Sequence, residues 1–169
     1  MKIDPDKEKA IKIISDNLYT TVSVKDEEDT PWIANLYFVH DSKFNIYWYS
    51  PKNSRHSRAI EKNPTVAFAF FDSTATGDDV DAVYMQAKAY VITDMKELLH
   101  GMMEYGKKML RTKFVNSKQA MEKFAKQYTD FKGDSPLRMY KATPTKIWKL
   151  APSDVYNDKY VDSRIEINI

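Results

Sequence analysis

Residues 83–93 read V-Y-M-Q-A-K-A-Y-V-I-T, in which Met85, Ala87, Ala89 and Val91 alternate with Tyr84, Gln86, Lys88 and Tyr90. A helix would scatter this set around its circumference, so the period of two requires a strand with one buried and one partly wet face. Thr65–Phe71 repeats the device, setting Val66, Phe68 and Phe70 against the small Ala67 and Ala69. Leu18–Lys25 reads as a strand ending at the acidic turn Asp26-Glu27-Glu28-Asp29 before Pro31. Trp32–Val39 and Phe44–Tyr49 flank His40-Asp41-Ser42-Lys43 as a hairpin, and Leu137–Lys141 and Thr145–Leu150 are expected as two returning strands around Pro144.

Helical spacing occurs in three places. Asp4 and Pro5 are a fitting N-cap and first position for a helix whose apolar face is Ile11, Ile13, Ile14 and Leu18. A short helix opens near Ser54 and is stopped by Asn63-Pro64. From Asp94 to about Thr129 the spacing predicts two helices, broken near Val115-Asn116-Ser117, with Met102, Met103 and Met109 as adaptable core. The basic bias of that pair, including Lys107, Lys108 and Arg111, reads as a solvated face. Beyond Pro152 the chain is polar and is expected to run as an extended tail, which Tyr156, Tyr160 and Ile165 could dock. The expected organisation is therefore one domain over 1–169, with a helical insertion at about 94–130 and a tail at about 153–169. Its class is α+β around an antiparallel barrel-like sheet.

The chain has no cysteine, which excludes thiol nucleophiles, thiolate metal sites and disulfides. A formal charge of only +2 removes a general electrostatic attraction to nucleic acid. No secretory pattern or membrane-spanning apolar run is seen, so a soluble, cytoplasmic protein without membrane association is expected. Asp78, Asp79 and Asp81 lack the spacing of a metal loop and read as an acidic loop.

The chemistry-bearing stretch is Tyr49-Ser50-Pro51-Lys52-Asn53-Ser54-Arg55-His56-Ser57-Arg58. An aromatic strand here runs into hydroxyl and basic residues at a helix start. Ser50 offers a hydroxyl, Ser54 caps the helix, and Arg55 and Arg58 lie one turn apart on one face. Helix-start amides, the positive end of the helix dipole and guanidinium forks together favour a phosphate dianion.

With Tyr49-Ser50, Ser54-Arg55-His56 and Asn63-Pro64-Thr65-Val66 at matching spacing, the chain resembles the flavin-binding split-barrel superfamily that includes pyridoxamine 5'-phosphate oxidase. The resemblance runs from Leu18 to Leu150 and is best from Trp32 to Phe71. Trp32, Ala34, Asn35, Tyr37, Arg55 and His56 resemble small bacterial members of that superfamily more closely. The resemblance implies an antiparallel six-stranded split β-barrel with flanking helices, holding a flavin mononucleotide (FMN) whose phosphate lies among Ser50, Ser54, Arg55 and His56, with Tyr49 and Arg58 as further cofactor-binding residues. It further implies that Ala34, Asn35, Leu36 and Tyr37 line the isoalloxazine, and that two copies form a homodimer. His56 stands where the superfamily has lysine, and the region after Trp148 lacks its Arg-x-His substrate pair. Oxidation of pyridoxamine phosphate is therefore not expected. The leading expectation is an FMN-dependent oxidoreductase acting on a small molecule; the alternative is a non-catalytic dimer that holds flavin or haem.

Overall fold

The computed structural model describes residues 4–76, 80–112, 127–151, 154–156, 159–161 and 163–168. Helix α1 (Pro5–Asp16) starts where expected: the Asp4 carboxylate accepts the Asp6 N–H at 3.0 Å, and Ala10 and Ile14 are buried. Strands β1 (Tyr19–Lys25) and β2 (Pro31–Tyr37) follow as an antiparallel pair. Their turn is tied by Asp26, whose Oδ1 accepts the N–H groups of Glu28 and Thr30, both at 2.9 Å.

After Phe38 the chain continues as β3 (Val39–His40), which hairpins with β4 (Ile46–Pro51). The hairpin needs a left-handed residue, taken by Phe44 at φ 58°, while Asp41 holds the Lys43 and Asn45 amides. Helix α2 (Arg55–Lys62), β5 (Thr65–Phe71), β6 (Ala82–Val91) and α3 (Met95–Arg111) come next. A 3-10 turn (Gln127–Phe131) leads to β7 (Leu137–Leu150), the small hairpin β8 (Asp154–Tyr156) and β9 (Lys159–Val161), and β10 (Arg164–Glu166). The expected second helix of the 94–130 region falls outside the described residues.

The main sheet runs β2-β1-β5-β6-β7-β4-β3, with β10 also paired to β7. Its eight strands exceed the six expected, for two reasons. The expected Trp32–Val39 strand is interrupted at Phe38, so that its first part pairs with β1 on one edge and its last part with β4 on the other. The sheet thus curls until its two edges meet in one stretch of chain. The polar C-terminal segment also contributes β10 and buries Ile167 in the main core, so it is not simply an extended tail. A third correction concerns Pro144: β7 is one continuous strand, because a register shift opposite Gln86/Ala87 absorbs the proline.

Inside the curl, Val22, Val24, Leu36, Ile46, Trp48, Val66, Phe68, Phe70, Val83, Met85 and Ala87 form the main core. A second core lies outside it, where α3 packs Leu98, Met102 and Tyr105 against Val39, Tyr47, Met139 and Phe131. Close approach requires Gly101 there, since a Cβ would lie 2.7 Å from Met139 Sδ. Met102 joins this core, whereas Met103 is exposed. No helix among the described residues is long and apolar enough to cross a membrane.

Candidate functional site

Near the end of β4, Ser50 faces inward and is 5% exposed, and after Pro51 the chain turns into α2. The Ser54 side chain caps that helix, accepting the Ser57 N–H at 3.4 Å and lying 2.8 Å from the Ser57 hydroxyl. His56 folds back so that Nε2 lies 2.9 Å from Ser50 Oγ and 3.2 Å from Ser54 Oγ. Three expected anchors, Ser50, Ser54 and His56, therefore form one cluster of hydroxyls and imidazole. Burial lowers the pKa of His56, which favours the neutral ring near pH 7. The first turn of α2 contains no acidic residue, so nothing there repels an anion.

The two arginines are placed differently from each other. Arg55 Nε donates to Asp26 Oδ2 at 2.9 Å, Nη2 engages the same oxygen, and the guanidinium lies 4.3 Å from the Trp32 ring centroid. Burial pushes the Asp26 carboxyl upward, but Arg55 and the Thr30 and Glu28 amides outweigh it and hold the pKa below the ordinary carboxylate value. Arg55 remains 42% exposed, and its Nη1 makes no hydrogen bond among the described residues. Arg58 turns to Glu27 Oε1 at 3.0 Å and to the Asn53 carbonyl, while Lys62 reaches the Glu27 carbonyl. The basic face of α2 is thus docked on the acidic β1–β2 turn, a pairing across about thirty residues that the sequence order conceals.

Of the remaining candidates, Tyr49 points to the opposite face of β4 and packs against Tyr105 and Phe131. Along β2 the alternation sends Leu36 into the main core with Ala34 against it, leaving Asn35 and Tyr37 on the outer face. Asn35 Oδ1 accepts from Thr21 Oγ1 at 2.9 Å, and Tyr37 lies edge-on to Tyr19. Strand β2 ends the sheet order, so beyond β1 its other edge has no strand partner among the described residues. Tyr47 and Trp48 are fully buried packing residues, whereas Trp32 covers Arg55.

Two polar groups of the α3 region were missed. Lys108, assigned from sequence to a solvated face, is 6% exposed and donates to the Asn17 and Phe38 carbonyls at 2.8 and 2.7 Å. Its position three residues after Tyr105 and seven after Gly101 places it on the buried face, a signal that was available in the helical spacing. Tyr47 donates to Glu97 Oε1 at 2.7 Å and is 3.1 Å from Asp41 Oδ2, while Lys141 pairs with Glu97 at 3.0 Å. Asp78 and Asp79 lie outside the described residues; Asp81 pairs with Lys149 at 2.9 Å. Among the described residues no His, Asp and Glu group is placed to hold a metal ion.

No protein-family model matches the chain, and no curated protein sequence does. Solved structures do match its shape. A Bacteroides thetaiotaomicron protein assigned to 5-nitroimidazole antibiotic resistance superposes with a TM-score of 0.65 at 15% identity, covering 88% of this chain and 85% of its own. The haem storage protein HutZ of Vibrio cholerae gives 0.62 at 12% identity over 87% of this chain and 94% of its own. A Listeria innocua protein assigned as a pyridoxamine 5'-phosphate oxidase gives 0.56 at 14% identity over 83% and 94%.

Proposed function

Starting from a chain with the split-barrel fold of the pyridoxamine 5'-phosphate oxidase type, we propose that it is a dimeric FMN-binding protein that serves as an oxidoreductase for a small molecule. The observation that carries this reading is the convergence of Ser50, Ser54 and His56 at the start of α2. These groups suit a phosphate: the hydroxyls can donate, the neutral imidazole can donate through one nitrogen, and Arg55 keeps an unused N–H. The Asp26 pair fixes the direction of the guanidinium, and Trp32 covers one face of it. The unpaired edge of β2 offers backbone groups of Ala34–Tyr37 to the polar rim of a flavin ring.

When bound, the flavin supplies hydride or electron transfer, and the chain anchors it, orients it and excludes water. Arg58 and Tyr49 act at one remove, Arg58 by holding the β1–β2 turn and Tyr49 by packing the outer wall. A second copy is the proposed cover for the Ile33 end of the outer sheet face, where Ile33 is 65% exposed.

Haem is the second reading, favoured by the neutral state of His56, which is the state an imidazole needs to bind iron. Its known precedent on this fold is the haem storage attributed to HutZ. Absorption of the purified protein separates the two, since oxidised flavin and a Soret band differ plainly. A protein that is colourless and takes up no added FMN refutes the leading reading. If FMN binds, anaerobic mixing with NADH or NADPH is expected to bleach it, and persistent colour with both donors leaves a non-catalytic holder.

A further inference from the structure

Across the outer sheet face, register sets the side chains in rows. Tyr37 pairs with Tyr19, and in the next row Asn35, Thr21, Ala69 and Tyr84 follow one another. Small Thr21 and Ala69 make a floor there, while Tyr19 and Phe71, 56% and 49% exposed, stand at its end. The result is a cleft of about 280 Å³ with Asn35 on one side and Asp72 and Ser73 on the other. That volume suits a ligand of one or two rings.

The polar groups of the cleft are selective. Thr21 spends its hydroxyl proton on Asn35 Oδ1, so its oxygen faces a ligand as an acceptor, whereas Thr20, 3% exposed, gives its proton to the Ala69 carbonyl from the inner face of β1. Among the described residues Asp72 is the one charged residue lining the cleft; its Oδ1 takes the Thr74 N–H and hydroxyl, and its Oδ2 has no partner there. Those two Thr74 bonds also hold the Asp72 carboxyl below its ordinary pKa, so it stays ionised at neutral pH. The donors that remain are the Asn35 amide and the Tyr19 and Ser73 hydroxyls, none of which donates a side-chain hydrogen bond among the described residues. A cleft with a carboxylate, several acceptors, no cation and aromatic edges repels anions and accepts a flat ring that carries N–H groups.

We propose that this cleft binds a small planar aromatic amine or amidinium, with its N–H groups on Asp72 and its ring over the Thr21–Ala69 floor between Tyr19 and Phe71. Binding as such is independent of the flavin reading; only the ligand's role as substrate rests on it, because Asn35 belongs to both. The preference for a cation is the property that distinguishes this cleft from the phosphate-directed cluster at α2.

An isosteric series tests it on the full chain. Benzamidine, benzamide and benzoate share one shape and differ in charge, and each is titrated against the protein by ligand-observed NMR, with FMN titrated separately by absorbance. Benzamidine is expected to bind about fivefold tighter than benzoate, the scale of one ionic contact at an exposed site. Asp72→Asn is expected to erase the difference between benzamidine and benzamide, and Thr21→Trp, which fills the floor at an exposed strand position, to abolish binding of all three. Equal binding of benzoate, or an unchanged preference in Asp72→Asn, overturns the proposal. Circular dichroism of both variants confirms that the sheet persists. FMN uptake without benzamidine binding refutes this inference alone; benzamidine binding without FMN uptake refutes the flavin reading and leaves the cleft as a ligand site.

Discussion

Two cations tie helices to the sheet, and they do so in opposite ways. Arg55 at the start of α2 has a buried acidic partner yet stays 42% exposed. Lys108 near the end of α3 has no carboxylate partner among the described residues and is buried between two carbonyls, with its Nζ 3.8 Å from the Phe38 ring centroid. Burial, with the Arg111 charge beside it, lowers the Lys108 pKa to about 7, whereas Asp26 holds Arg55 in place without removing it from water. One cation therefore keeps a face open to water, and the other is consumed in joining α1, the strand break and α3. A count of basic residues could not have told them apart.

The sharpest way to break this comparison is Lys108→Ala. The variant loses both carbonyl contacts and leaves a gap under α3, so a loss of ~2 to 4 kcal/mol is expected in denaturant unfolding. A loss below the ordinary scatter of surface variants would return Lys108 to the solvated face. FMN binding reads the other cation: Arg55→Ala is expected to weaken FMN by ~1.5 to 3 kcal/mol and riboflavin far less, because only FMN carries the phosphate. Equal losses for both ligands, measured by calorimetry, would move Arg55 away from the phosphate.

Titration separates the two cations by a different property. Unfolded, Lys108 keeps its proton up to about its ordinary 10.5; folded, it releases it near 7. Between those values the unfolded chain binds more protons, so stability rises with pH, by ~1 kcal/mol between pH 7 and 8. Lys108→Met should flatten that slope, and a wild-type slope that survives the substitution belongs to another group. The smallest effect expected is His56→Lys, which replaces a neutral donor with a fixed charge and should tighten FMN about threefold at pH 8. Because the pKa of His56 is lowered in the fold, its contribution to stability is present above pH 6.5 and is lost on acidification below it.

Much of this architecture was legible because local chemistry and global fold agree. Ser54 caps α2 in the structure as its position before a basic helix indicated, and the alternation of residues 83–91 became β6 with the expected faces. The failures share a cause, in that each depends on a partner distant in sequence. Arg55 and Arg58 look equivalent on one helix face until the acidic turn 26–29 is folded against them, Asp26 taking one and Glu27 the other. The 137–150 strand looks interrupted at Pro144 because a bulge is a property of two strands, not one. Lys108 was misread because charge was weighed above position, although Leu98, Gly101 and Tyr105 mark its face.

The interruption at Phe38 carries one more consequence. In most sheets a strand can slide by two residues against a single neighbour and keep its faces correct. Here the same stretch is paired to β1 before Phe38 and to β4 after it, with Phe38 itself fully buried and its carbonyl held by Lys108. Any slide on one side must be matched on the other, through a ring that has nowhere to move. The chain thus carries its own alignment key, and a single inserted residue beside Phe38 would misalign one edge of the sheet whichever edge it spared.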